Sequence, residues 1–234
     1  MRATATNCRW AREYPVKAGR LEGLRIAASP DLGYAAVQPD VRAAFERALG
    51  VFGDLGASVT LEGPKVDPDI LERTLKPIAL TEQAAAASVR PASDFDRSDA
   101  EYREAVARGG AYSGVDYIAA CYRRADLRAA FLALFSRFDV FLTPTVAPAA
   151  FEAGALGRGV IAGRAVNPHL GWSPFSWPMN LTGLPAATVP CGFDAEGLPI
   201  GLQIVAPWLD EATILRVAAA FERAQPWAAV WPDA

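Results

Sequence analysis

Asp139-Val-Phe-Leu-Thr143 is a short, mostly apolar run entered directly from the end of a long helical pattern, and it reads as a buried strand. The pattern before it begins where Ser113 is followed three residues later by Asp116, a helix start of the capping type. From there Ile118, Tyr122, Leu127, Phe131, Leu134, Phe135 and Phe138 mark a long buried face. Working further back, Leu24-Arg-Ile-Ala-Ala28 alternates and then breaks at Ser29-Pro-Asp-Leu-Gly33, as a strand running into a turn does. Beyond Pro39, residues Val41, Ala44, Phe45, Ala48, Leu49 and Phe52 recur at three- and four-residue spacing. They predict an amphipathic helix that starts at a favoured proline position and stops near Gly56. A second strand follows at Ser58 to Leu61.

Residues 69 to 108 predict two or three helical pieces, with Pro77 kinking or ending one and Pro91-Ala-Ser-Asp94 marking a break. Downstream of the central strand, residues 144 to 178 are rich in Pro, Gly and Ala and hold no sustained period. They predict a long loop with at most one short helix, and a loop of that length usually has a functional reason or needs a missing partner. Ala186 to Val189 and Gly201 to Val205 read as two strands joined by a turn at Asp194-Ala-Glu-Gly197. Asp210 caps a final helix whose inner face carries Ile214, Val217, Ala218 and Phe221. The expected class is therefore α/β, a three-layer α/β/α arrangement around a mixed sheet with at least one antiparallel pair near the end. No domain-separating linker and no internal repeat stands out, so residues 1–234 read as one domain, with 1–18 as an irregular lead-in.

Composition narrows the function. With 52% hydrophobic and 21% charged residues in 234, the chain has a globular balance rather than a disordered one. A formal net charge of −3 with scattered Lys and Arg makes no basic stripe, so no nucleic acid partner is expected. The first twenty residues lack an apolar central region, and Ala129 to Phe135 is far too short to span a bilayer, so neither export nor a membrane is expected. Cys8, Cys121 and Cys191 fit neither a disulfide framework nor a zinc site, which makes a reducing cytoplasm the default. His169 is the only histidine, which excludes a histidine-rich metal cluster.

Motifs that carry chemistry are scarce. The Gly-x-Ser-x-Gly elbow is absent, and His169 in its loop has no marked partner, so it reads as an ordinary hydrogen-bonding imidazole. Gly157-Arg-Gly-Val-Ile-Ala-Gly163 misses the dinucleotide fingerprint by one residue and lacks a P-loop lysine; it reads as a flexible surface loop. Asn180-Leu-Thr-Gly183 reads as a turn held by side-chain bonds to backbone. Asp94, Asp96, Asp99 and Glu101 read as a solvated, acid-rich helix start rather than a metal site. The rings of Trp172, Phe175 and Trp177 are hard to leave in water. They need a core, a substrate or a missing segment to pack against.

Five stretches taken in order resemble the closing half of the amidase-signature family. They are Asp139-Val-Phe-Leu-Thr-Pro-Thr145, Pro178-Met-Asn-Leu-Thr-Gly-Leu-Pro-Ala186, Val189-Pro-Cys-Gly192 and Gly197-Leu-Pro-Ile-Gly-Leu-Gln203, with the opening Leu24 to Gly33. The resemblance runs from about Gly19 to Trp227. It implies the carboxy-terminal half of that family's fold and amide hydrolysis through an acyl-enzyme, with no cofactor or metal. It also implies a catalytic lysine and two serines in the family's amino-terminal half, within and before a Gly/Ser-rich signature. Gly109-Gly-Ala-Tyr-Ser-Gly114 does not match that signature, and neither Lys17, Lys65 nor Lys76 takes the lysine's role by matching, so no catalytic residue is assigned. What the resemblance does carry over is one wall of the acyl pocket: Thr145, Trp172, Phe175 and Trp177. Arg128 could match an arginine that anchors the substrate in the related tRNA amidotransferases, but Ser173 stands where an acidic partner is expected, which favours a general amidase.

The expected partners are a small-molecule amide substrate in the complete enzyme, and either an amidase amino-terminal half or further copies of this chain. A half ending at the join would leave a strand edge and apolar helix faces bare, and would self-associate. The alternatives are a non-catalytic binding or assembly subunit, and a truncated gene product.

Overall fold

The computed structural model describes residues 19–155 and 157–227. The lead-in at 1–18, with Cys8 and Lys17, lies outside the described residues. Strand β1 (Arg25–Ala28) sits inside a five-stranded sheet. It pairs in parallel with β2 (Ser58–Leu61) on one side and with β3 (Val140–Pro144) on the other. Helix α1 (Pro39–Asp54) makes the crossover between β1 and β2. Beyond β3 the sheet turns antiparallel. Its neighbour is β7 (Pro199–Val205), and β6 (Ala186–Phe193) closes the order β2-β1-β3-β7-β6. All five residues of β3 are buried, as a strand covered on both faces requires. Pro190 is tolerated in β6 because that strand is an edge, and the register shifts there between Pro190 and Gly192.

Helices cover both faces. On one, Phe52 of α1 stacks on Phe221 of α7 (Glu211–Ala224) at 5.0 Å between ring centroids. Asp210 caps α7 by accepting from the Thr213 N–H, and Ile214, Val217, Ala220 and Phe221 are buried beneath it, while Ala218 is only half-buried. On the other face lies α5 (Gly114–Phe135), whose Phe131 meets Phe141 of β3 edge-on at 5.9 Å. The start of α5 is a full capping box: the Asp116 N–H donates to Ser113 Oγ, and the Ser113 N–H donates back to the Asp116 carboxylate.

Helix α5 departs from the sequence expectation along half of its length. Leu127, Phe131 and Leu134 are buried, Phe138 just beyond it is buried and Phe135 is half-buried, but Ile118 and Tyr122 are exposed. Apolar residues run round most of this helix, so periodicity alone does not say which stripe meets the sheet.

The stretch before α5 is mostly helical, broken at 89–91, where the expected break at Pro91 falls, and at 97–99. A π-helical turn (Leu71–Leu75) leads directly into α2 (Lys76–Ser88), followed by the short α3 (Ala92–Asp96) and by α4 (Ala100–Gly110). Pro77 stands in the first turn of α2, directly after the π-helical turn, so the helix type changes beside it while helical backbone runs on across it. Having no N–H, it cannot serve the carbonyl of Arg73 four residues back, and the Arg123 guanidinium of α5 donates to that carbonyl at 2.9 Å instead. Gly109 of α4 lies against α2, where a Cβ would come within 1.9 Å of the Leu80 carbonyl oxygen. Asp99 caps α4 by accepting from Tyr102 N–H, as an acid-rich helix start should.

Candidate functional site

The segment after β3 holds more structure than its composition suggests. Val160–Ile161 (β4) and Arg164–Ala165 (β5) form a two-stranded hairpin turned by Ala162 and Gly163, both at positive φ. The expected flexible glycine loop is therefore a built turn. Gly157 is packed as well, since a Cβ there would meet the Pro168 carbonyl at 2.0 Å. Helix α6 (Ser176–Thr182) follows. Asn180-Leu-Thr is its last turn, closed by Gly183 at φ 69°, with Thr182 Oγ1 donating back to the Pro178 and Met179 carbonyls.

Several long-range hydrogen bonds fix this segment to the sheet and to the residues after β1. The Ala149 N–H donates to Gln38 Oε1 at 2.8 Å, and the Gln38 N–H donates to the Ala147 carbonyl. Tyr34 Oη donates to the Pro174 carbonyl at 2.6 Å, and burial pushes the Tyr34 phenol well above its ordinary pKa, so it remains a donor. Gln203 of β7 is buried. Its amide donates to Thr143 Oγ1 of β3 at 2.9 Å and to the Phe175 carbonyl at 3.1 Å, joining two strands to the start of α6.

The four candidate site residues fall into two groups. Trp172 is half-buried, donates its indole N–H to the His169 carbonyl at 2.8 Å, and meets the ring of Phe151 edge-on at 5.9 Å. It lines an apolar cavity of about 210 Å³ together with Val41, Val146, Phe151, Ile200 and Gly201. Thr145 adjoins that cavity through Gly201. Its N–H donates to the Gly201 carbonyl, and its hydroxyl bonds to that of Thr188 across the glycine, where a Cβ would come within 2.6 Å of Thr145 Oγ1. Phe175 and Trp177, by contrast, are buried in the core and are not among the residues lining this cavity, and the Trp177 indole N–H has no partner. A more open concavity of about 470 Å³ lies at the carboxyl ends of β1 and β2, lined by Ser29, Asp31, Glu62 and Lys65, and contains none of the four.

The apolar cavity lacks a reacting group of its own. Among the described residues, no serine or threonine hydroxyl bonds to a lysine or to His169. Ser173 Oγ donates to the Leu170 carbonyl, and Ser29 Oγ accepts from Leu32 N–H. Burial pushes the Cys191 thiol up to about 12, far from a thiolate at neutral pH. His169 Nδ1 stands 3.2 Å from Glu101 on the surface. Arg128, the other residue singled out from the sequence, lies 4.3 Å over the Trp208 ring. Among the described residues no group of three or more His, Cys, Asp or Glu side chains could hold a metal ion, and no helix is long and apolar enough to cross a membrane. Gln203, which ties β3 and β7 to α6, and Gly201, which lines the cavity, are the positions here that residue-by-residue reasoning passed over. Both stand in the Gly197 to Gln203 motif, which is where a signal lay.

Comparison with known proteins identifies the family. The amidase family model matches residues 2–215, and this chain belongs to that family. It is 33% identical over 221 residues to an acylamidase of Rhodococcus erythropolis, covering 90% of this chain and 44% of that protein. It is 32% identical over 234 residues to a glutamyl-tRNA(Gln) amidotransferase component from Thermosynechococcus vestitus, covering 88% and 46%. Among solved structures, 6-aminohexanoate cyclic dimer hydrolase complexed with substrate superposes with a TM-score of 0.79 at 26% identity, covering 95% of this chain and 50% of that one. A bacterial aryl acylamidase of the amidase-signature family shares the fold, with a TM-score of 0.74 at 24% identity and coverage of 89% and 45%. The chain thus spans about half the length of the relatives it matches.

Proposed function

We propose that this chain is the carboxy-terminal part of a cytoplasmic amidase, one partial domain over residues 1–234. It would supply one wall of a site that hydrolyses a carbon–nitrogen amide bond. The observation that carries the proposal is the apolar cavity beside Trp172, set in a chain that belongs to the amidase family and matches only half of its relatives' length.

The wall's chemistry suits a carboxamide with an apolar or aromatic acyl group. Trp172, Phe151, Val146 and Ile200 offer rings and branched side chains and no charge, so an apolar acyl chain leaves water without stranding a polar partner. Thr145 places a hydroxyl at the rim, while Phe175 and Trp177 are buried in the core. The nucleophilic serine, the relaying serine and the lysine would come from a segment matching the other half of the relatives. That serine would attack the amide carbonyl, and the amine would leave with a proton passed through the second serine. Water would then release the acid.

Trp172 gives the test. In an enzyme assembled from residues 19–227 of this chain and the amino-terminal half of the Rhodococcus acylamidase, Trp172→Ala should raise KM for aromatic acylamides about tenfold, roughly 1.4 kcal/mol. It should leave kcat within about twofold. An unchanged KM would remove Trp172 from the substrate wall.

A further inference from the structure

Helix α5 carries a second apolar stripe, on the side away from the sheet. Val115, Ile118, Tyr122, Ala125, Ala129 and Leu132 follow one another at spacings of three, four, three, four and three residues, and all six are exposed. The large ones are bare: Val115 is 78% exposed, Ile118 49%, Tyr122 70% and Leu132 55%. The alternation of three and four is the seam of two helices packed side by side, and no charged residue stands at any of the six positions. Arg123 is drawn off to the Arg73 carbonyl, and Arg128 lies over Trp208.

We infer that this stripe is a homodimer interface, in which α5 packs antiparallel against α5 of a second copy across a two-fold axis between residues 123 and 124. Two features of the molecule select a second copy as the occupant. The first is place. Any protein segment that continues the sheet must add at an edge strand, β2 or β6, whereas the stripe faces outward from the helix layer, with Leu127, Phe131 and Leu134 on the side toward the sheet. The second is self-complementarity. The two-fold pairs Val115 with the partner's Leu132, Ile118 with the partner's Ala129 and Tyr122 with the partner's Ala125, so every large side chain but the end pair meets an alanine, and the helices can close to about 8–10 Å. Over about 25 Å of helix the two stripes together bury about 1,000 Å², the lower end of what a specific interface requires. This interface is independent of the proposed amide site.

Sedimentation velocity of the 234-residue chain should show a dimer at about 10 μM, and Ile118→Glu with Tyr122→Glu should raise the dissociation constant at least about 100-fold with an unchanged circular dichroism spectrum. Both residues are exposed, so the fold should not depend on them. Register is read separately by mixing Ile118→Cys and Ala129→Cys chains under mild oxidation. The mixed 118–129 disulfide should form, whereas two copies of residue 118 would lie about 16 Å apart, beyond disulfide reach. A wild-type monomer at 100 μM, a dimer that survives the two glutamates, or a 118–118 disulfide in preference to 118–129 would each overturn the inference.

Discussion

Replacing Gln203 by methionine keeps the length and volume of the side chain and removes only its amide. In the native chain that amide donates to Thr143 Oγ1 at 2.9 Å and to the Phe175 carbonyl at 3.1 Å, within a buried site. Each lost bond costs about 1 kcal/mol net, and the Phe175 carbonyl, as the N-cap of α6, still accepts the first bond of that helix. Thr143 likewise keeps a partner, since its hydroxyl still donates to the Pro144 carbonyl. The expected loss is therefore about 2 kcal/mol, which for a chain of this size lowers Tm by about 4–8 °C. Urea denaturation followed by tryptophan fluorescence should show a lower midpoint with an unchanged slope. Gln203→Glu should be worse at neutral pH, because an ionised carboxylate would face two oxygen acceptors, and should recover as acid protonates it and restores a donor. A Gln203→Met chain within 0.5 kcal/mol of the native one would refute the idea that this amide ties β3, β7 and α6 together.

Two further outcomes concern titrating groups. Cys191, buried and held as a thiol by a pKa of about 12, should resist alkylation at pH 8 in the folded chain and react fully in denaturant; rapid native labelling would show the β6 bulge to be open. Asp139 takes a hydrogen bond and an ion pair from Arg25, which hold its carboxyl below the usual aspartate range. Its contribution to stability is thus complete above the unfolded value of about 4 and is lost as pH falls through the depressed folded value. Arg25→Gln should flatten the acid limb of a Tm-against-pH curve, and an unaltered limb would show the pair to be screened by solvent.

The strands and the helices flanking them were legible because each carries a local signal. Pro39 sets the start of α1, Ser58 to Leu61 is strand over the whole predicted span, and Ser113 with Asp116 forms the capping box that the spacing implies. What escaped was decided by distant partners. That helical backbone continues across Pro77 as a π-helical turn running into α2, with Arg123, 46 positions later, donating to the Arg73 carbonyl, has no local signal. Ile118 and Tyr122 look like core because α5 has two apolar stripes, and only the sheet determines which one is covered. The turn at Ala162-Gly163 has two strands of two residues each, too short for any period to register. At the site, the three rings were visible as a cluster, but that Trp172 lines a cavity while Phe175 and Trp177 are buried in the core depends on anchors from Gln38, Tyr34 and Gln203, none of them near in sequence.

If this chain forms one side of an amidase site whose nucleophile lies elsewhere, activity should depend on what it is joined to. The comparison to make is residues 19–227 alone against the same residues joined to the amino-terminal half of the Rhodococcus acylamidase, using an aryl acylamide and a serine-reactive phosphonate. The chain alone should show no hydrolysis above background and no labelled serine. The joined protein should turn over, with the label on a serine of the added half. Burst acylation of a serine within this chain, or a folded joined protein that neither turns over nor takes the label, would contradict the proposed division of the site.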